Sequence, residues 1–310
     1  MKPILVTAYV SPDLDGYAGA FAYAELLNKQ GRLAEVGIVG EPHDEAQFLI
    51  TQYKLETAKT ILNSDDYDEI ILVDASTVDG LENKIEPTKV VEIVDHRKNN
   101  ELEKFPNAKA QIEMVGAAAT LIAEKFMNSE VPISFSSCVL LYGAIISNTL
   151  NFKATVTTDS DIAASKWLNK IGGFHQNFGK DMFIAKSELS GEKLNKRMDT
   201  EFASFDLAEK KIGIVQIEII GAKDLLNNRL PEIIERLNEL KQKYNLDYIF
   251  QSTVGLEEGK NYFVAEDFYI KKCLEDIFSI KFNGSIAEKE KFIMRKQLVP
   301  ILKEYLETKF

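Results

Sequence analysis

Along the first half of the chain, short aliphatic runs alternate with longer stretches in which apolar residues recur at helical spacing. A run of consecutive aliphatic residues suits a strand buried on both faces, whereas the helical recurrence suits an amphipathic helix. The pattern predicts strands near 4–10, 34–40, 69–74, 89–94 and 110–114, and helices near 16–29, 43–54, 116–127, 135–150 and 159–171. Such alternation is that of an α/β fold with a doubly wound parallel sheet. The pattern starts afresh at Lys211 to Ile220, KIGIVQIEII, with a long helix near 222–243, strands near 247–254 and 261–265, and two more helical segments. A smaller mixed α/β domain fits this second part. Gly172-Gly173 and the polar stretch Lys186 to Lys193, KSELSGEK, are the candidate connections, and the expected domains are 1–186 and 194–310.

Three of the expected strands end on residues that can hold a cation. Ile4 to Tyr23, ILVTAYVSPDLDGYAGAFAY, places Asp13 and Asp15 where a strand hands over to a helix. Glu69 to Asp74 reads EIILVD, and Lys89 to Arg97 reads KVVEIVDHR, each an apolar run that stops at an aspartate. In open α/β sheets the carboxyl ends of the strands are where ligands bind. Taken singly, each signal has a plain structural explanation. Asp-Leu-Asp-Gly is good turn and helix-capping chemistry, and a lone histidine is more often packed or solvated than a ligand. Together, Asp13, Asp15, Asp74 and His96 form a mixed carboxylate and imidazole set that suits Mn²⁺ better than Zn²⁺.

On these residues the chain resembles the DHH phosphoesterase superfamily, and within it the manganese-dependent (family II) inorganic pyrophosphatases. The blocks that carry the resemblance are SPDLDG at Ser11 to Gly16, Val73-Asp74, Asp95-His96-Arg97, AIISNTLNF at Ala144 to Phe152, and MRKQLVP at Met294 to Pro300. The resemblance implies a metal-binding catalytic domain, a DHHA2-like substrate-binding domain, and an active site in the cleft between them. It implies metal ligands Asp13, Asp15, Asp74 and His96, catalytic residues Asp74, His96 and Arg97, and substrate contacts from Arg97, Asn148, Arg295 and Lys296. The implied cofactor is Mn²⁺, with Mg²⁺ or Co²⁺ as alternatives, and the implied partner is a small phosphorylated substrate. Pairing of two copies through an edge strand of the first domain is a further implication.

The chain departs from the family pattern at four positions. Tyr9 stands where the first block has a metal-binding histidine, Asn148 where a further ligand is an aspartate, Arg97 where the signature has its second histidine, and Ala203 where a lysine contacts substrate. Counted by analogy, Asp15, Asp74 and His96 with Asn148 keep one firm ion, and the second ion, on Asp13 and Asp74, is weaker. Asp-His-Arg is also the signature of the prune-like branch, and a guanidinium there offers a planar fork for phosphate oxygens. The expected function is hydrolysis of pyrophosphate or a short polyphosphate. The alternatives are a degenerate protein that binds a phosphorylated ligand without turnover, and a phosphodiesterase acting on a nucleotide.

Composition adds limits more than chemistry. At 310 residues and 45% hydrophobic content the chain can build two ordinary cores. A formal net charge of −11 and the absence of a long basic stripe argue against nucleic acid as the main partner. The cysteines, Cys138 and Cys273, have no pairing pattern, MKPILVTAYV has no small-residue cleavage site, and no apolar run reaches membrane-spanning length, so a cytoplasmic protein is expected. Glu113 to Thr120, EMVGAAAT, suits either a phosphate loop or an ordinary helix start. His43 and His175 read as surface or packing residues.

Overall fold

Four consecutive aliphatic residues have no polar face to offer water, and Ile70–Val73 is buried throughout, at the centre of a parallel sheet. The computed structural model describes residues 2–291 and 293–308. Two compact units divide the chain, Met1–Ala185 and Lys186–Phe310.

In the first unit the elements run β1 (Ile4–Thr7), α1 (Leu14–Lys29), β2 (Ala34–Val39), α2 (Asp44–Tyr53), β3 (Lys59–Ile61), β4 (Ile70–Val73), β5 (Val90–Asp95), β6 (Lys109–Ile112), α3 (Ala118–Ser129), α4 (Phe135–Asn148), α5 (Asp159–Gly172) and α6 (Phe178–Lys186). The strands lie in the order β3-β2-β1-β4-β5-β6, all pairs parallel. This is the doubly wound order, with its reversal between β1 and β4, where a crevice opens at the carboxyl ends of the strands. The α/β expectation is met, with local differences. β1 stops at Thr7 because Val10 and Ser11 turn away to bond Gly80 O and Val39 O. The expected elements omit β3, whose three residues are too few to show a pattern, and α6.

The crossovers around β5 are made by 3₁₀ turns at Asp79–Leu81, Pro87–Lys89 and Leu102–Lys104 rather than by α-helices. Leu81, Ile85 and Phe105 from these segments pack with Leu5, Ile70, Leu72, Val90 and Ile93 of the strands. α1 covers the sheet elsewhere, packing also on α3 and α4. It approaches β4 so closely that a Cβ on Gly19 would lie 2.5 Å from Val73 Cγ1. After α4, Leu150, Asn151 and Phe152 take left-handed φ values of 50°, 53° and 64° in succession, and Asp74 takes 57° at the end of β4. Non-glycine residues held there cost about 1–3 kcal/mol each and persist where the surroundings over-determine them.

The second unit contains α7 (Lys193–Thr200), β7 (Phe202–Leu207), β8 (Lys210–Ile219), α8 (Ala222–Lys243), β9 (Tyr248–Gly255), β10 (Lys260–Val264), α9 (Phe268–Phe278), β11 (Phe282–Asn283), β12 (Ile286–Glu290) and α10 (Arg295–Glu307). Its sheet order is β11-β12-β10-β9-β8-β7, with β8 and β9 parallel and the other pairs antiparallel. Alternation along β8 sends Val215, Ile217 and Ile219 to a core shared with Leu226, Ile233 and Leu237 of α8. Ile212 and Ile214 face the other core, with Ile270 and Leu274 of α9 and Leu298, Leu302 and Leu306 of α10. The expected elements omit α7 and β7, in a polar stretch with little apolar periodicity, and the short β11 and β12. Among the described residues no helix is long and apolar enough to cross a membrane.

Candidate metal centre

The crevice beside β1 and β4 collects the strand-end residues. Asp15, in the first turn of α1, Asp74, after β4, and His96, after β5, each present one ligand atom, and these atoms lie within 4.8 Å of one another. Asp15 is 0% exposed, Asp74 1% and His96 9%. His96 Nε2 lies 3.4 Å from Asp74 Oδ1 and 3.7 Å from Asp15 Oδ2. Its Nδ1 is 2.9 Å from Val115 O. A donor bond at Nδ1 orients the ring and leaves Nε2 for the carboxylates or a metal.

The two carboxylates are held differently. Asp15 is enclosed by donors: Ala118 N at 2.8 Å and Asn148 Nδ2 at 2.7 Å bond Oδ2, and Ala119 N at 2.7 Å bonds Oδ1. The start of α3 thus turns its unpaired amides onto a negative charge, as helix N-termini favour. Asp74 has only Arg97 Nη2, 3.0 Å from Oδ2, and its Oδ1 is buried with no hydrogen-bond partner. A buried carboxylate oxygen without a partner is costly, and this one points to the Asp15 and His96 side.

Electrostatics follow from this packing. Burial, with Asp74 close by, pushes the Asp15 carboxyl up to about 8. Asp74 is likewise raised by burial, against the opposing pull of Arg97 and His96. Burial alone would lower the His96 imidazolium, but the contacts to Asp74 and Asp15 outweigh it and raise it to about 9. Without a cation, protons are therefore held among three groups whose natural ligand form is deprotonated. The donor set, two carboxylates and one imidazole with an orphaned oxygen, fits a divalent ion of the Mn²⁺ kind.

The remaining sequence candidates are distributed around this cluster or away from it. Asp13 is the N-cap of α1, its Oδ1 accepting from Asp15 N at 3.0 Å and Gly16 N at 3.1 Å. It lies outside the three-residue group. Tyr9 Oη accepts from Asp13 N at 2.9 Å, and the Arg97 guanidinium stands over the Tyr9 ring, 5.3 Å from its centroid. Burial first, then Asp13 and Asp74, hold the Tyr9 phenol well above its ordinary range, so it stays protonated. Asn148 turns its amide to Asp15. Arg295 opens α10 in the second unit with Nη1 2.5 Å from Glu201 O, and Lys296 follows it in the first helical turn. Ala203 pairs with Ile214 between β7 and β8.

Several contributors carry no side-chain signal in the sequence. The amides of Ala118 and Ala119 and the carbonyl of Val115 all belong to the EMVGAAAT stretch, where they serve Asp15 and His96. Asp95, the first residue of the Asp-His-Arg block, points away from the cluster. It accepts from Ser76 Oγ, and from His96 N at 2.6 Å and Arg97 N at 3.3 Å, clipping the loop that presents His96. Its paired amides are a reason for an acid at that position.

Comparison with known proteins adds the following. The DHH family N-terminal domain model matches residues 3–164, and the DHHA2 domain model matches residues 180–305. A "Probable manganese-dependent inorganic pyrophosphatase" of Bacillus cereus (strain B4264) is 29% identical over 318 residues, covering 99% of this chain and 100% of its own length. A protein of the same name from Bacillus cytotoxicus is 28% identical over 319 residues, with the same coverage. Among solved structures, that of a Methanococcus jannaschii "putative family II inorganic pyrophosphatase" superposes with a TM-score of 0.80 at 27% identity, covering 99% of this chain and 100% of that one.

Proposed function

The chain belongs to the DHH family, and from that premise we propose that it is a metal-dependent phosphohydrolase acting on a phosphoanhydride, with pyrophosphate the first candidate and short polyphosphates the next. The observation that carries this reading is Asp74 Oδ1, a buried carboxylate oxygen without a partner between His96 and Asp15. Relatives matched along their whole length and named probable manganese-dependent inorganic pyrophosphatases support this choice of substrate.

In this reading Asp15, Asp74 and His96 hold one firm divalent ion. A second, weaker ion would be held by Asp13 and Asp74, where Arg97 already bonds Asp74 Oδ2. Bound metal supplies Lewis-acid polarisation of a phosphoryl oxygen. Arg97 keeps a permanent positive charge beside Asp74, because burial alone would lower its guanidinium but Asp74 and Asp95 hold it raised. It is the group suited to stabilise charge on the transferred phosphoryl oxygens. Asn148 holds Asp15 by a neutral donor, and Tyr9 seats Arg97 and braces the turn at Asp13. Arg295 and Lys296 are the residues we assign to the distal phosphate. The bonds of Arg97 to Asp74 and Asn148 to Asp15 also favour a second reading, a protein that grips a phosphorylated ligand and turns it over slowly.

The test is phosphate release from pyrophosphate and tripolyphosphate with Mn²⁺, Mg²⁺ or Co²⁺, beside the same assay on Asp74→Ala. Turnover that falls by about a hundred- to a thousandfold in the variant is the expected result, by the usual size of a lost charge-stabilising group. No turnover by the unaltered protein, with retained binding of a phosphorylated ligand, selects the second reading.

A further inference from the structure

A buried carboxylate one layer outside the cluster has no part in the proposed hydrolysis. Asp161, in the first turn of α5, is 0% exposed. It accepts from Gly116 N through both oxygens, at 2.9 and 3.1 Å, and from Thr120 Oγ1 at 2.6 Å. On its other side Thr158 N and Oγ1 each donate to Oδ2 at 2.7 Å, and the first of these bonds, with Asp161 N donating to Thr158 Oγ1 at 3.4 Å, makes the capping box of α5. One carboxylate therefore ties the start of α5 to the loop that leads into α3.

That loop is the shared support of two cluster residues. Val115 O, immediately before Gly116, meets His96 Nδ1, and the amides of Ala118 and Ala119, two and three residues after it, meet Asp15. Gly116 has no room to shift. A Cβ there would lie 2.7 Å from Thr149 Cγ2 and 2.8 Å from Asp161 Oδ2. The residue is wedged between the Asp161 carboxylate and the residue that follows Asn148. We propose that Asp161 is a positioning residue of the metal centre, setting His96 and Asp15 together through Gly116. The inference rests on the metal-centre reading above. A cap for α5 alone would need only the Thr158 side of the carboxylate, and the Gly116 and Thr120 bonds are beyond that need.

The experiment separates the two sides. Mn²⁺ affinity is measured by calorimetry on the full chain, with the visible spectrum of the Co²⁺-loaded protein as a report on ligand geometry. Asp161→Ala is expected to weaken Mn²⁺ binding about 10- to 100-fold, as loss of outer-shell support does, and to change the Co²⁺ bands. Asp161→Asn, which keeps an oxygen for Gly116 N, recovers most of that affinity. Thr158→Ala lowers the melting temperature but leaves the Mn²⁺ affinity as in the unaltered protein. Should Asp161→Ala fail to fold, Gly116→Ala, which presses on the same contact, is expected to weaken binding in its place. Unchanged Mn²⁺ affinity in a folded Asp161→Ala, or in Gly116→Ala, overturns the proposal. Equal loss of affinity in Thr158→Ala also overturns it. An unaltered protein that binds no Mn²⁺ removes the metal-centre reading itself, and this proposal with it.

Discussion

Asp74 and Asp161 are the same residue type, both nearly without exposure, in the same unit, and they are finished to different degrees. Asp161 is surrounded by neutral donors from Gly116, Thr120 and Thr158. Asp74 has one guanidinium on one oxygen and, on the other, no hydrogen bond but the His96 imidazole at 3.4 Å, and its carboxyl is raised by burial. Burial of an acid thus marks two separate things: a completed structural bond, or a position left incomplete for something that arrives later. The number of satisfied lone pairs tells them apart, and burial does not.

Stability should respond oppositely at the two positions. Asp161→Ala leaves the donors of Gly116, Thr120 and Thr158 without their acceptor and is expected to cost about 3 kcal/mol, in the range for breaking a buried network. Asp74→Asn removes a poorly compensated charge, and in metal-free protein it is expected to change stability by less than about 1 kcal/mol or to raise it. Urea unfolding of both variants with chelator present checks this. Equal losses would erase the distinction.

The next effect separates the positions by pH. Only the deprotonated cluster receives a metal, and Asp15 and His96 retain protons up to about 8 and about 9. Mn²⁺ affinity is therefore greatest above those values and declines as pH falls through them, by up to about tenfold per pH unit for each proton displaced. Calorimetry in buffers of different ionisation enthalpy counts the protons released. A flat profile from pH 9 down to about 6 would contradict the raised values.

The smallest effect is at Tyr9. Tyr9→Phe deletes the acceptor for Asp13 N while keeping the ring under Arg97, and is expected to cost about 1 kcal/mol, the usual size of one hydrogen bond. Thermal unfolding reads it. Loss of Mn²⁺ binding in the same variant would mean that the phenol is itself a ligand.

Much of this arrangement was legible before the structure. Strand ends announce themselves because β-branched runs cannot continue past an aspartate without losing their cover, so Asp74 and His96 were located from EIILVD and KVVEIVDHR. Asp13 and Asp15 could not be separated, since Asp-x-Asp reads equally as two ligands or as a cap with one ligand. In three dimensions the cap takes Asp13 Oδ1. The amides of Ala118 and Ala119 were invisible for a simpler reason: every residue has a backbone, and only folding says which amide is aimed at a charge. A cap and a support have the same spelling, so the sequence carries no sign of the second role of Asp161. In the second unit, α7 and β7 lacked a clear apolar period, and KSELSGEK, expected as a connection, is flanked by the end of α6 at Lys186 and the start of α7 at Lys193.

The helix-free crossovers have a consequence for how the first unit breathes. Residues 74–89 and 96–108 join β4 to β5 and β5 to β6 with little regular backbone bonding beyond short 3₁₀ turns. Chain of that kind exchanges its amide hydrogens through local opening, ahead of the strands it covers. Asp74 and His96 stand at the points where these segments leave the sheet, with Asp74 N bonded to Val94 O and His96 N to Asp95. Slow-exchanging and fast-exchanging amides therefore meet at the ligands themselves, and whatever bridges Asp74 and His96 also staples the mouths of two loosely held segments.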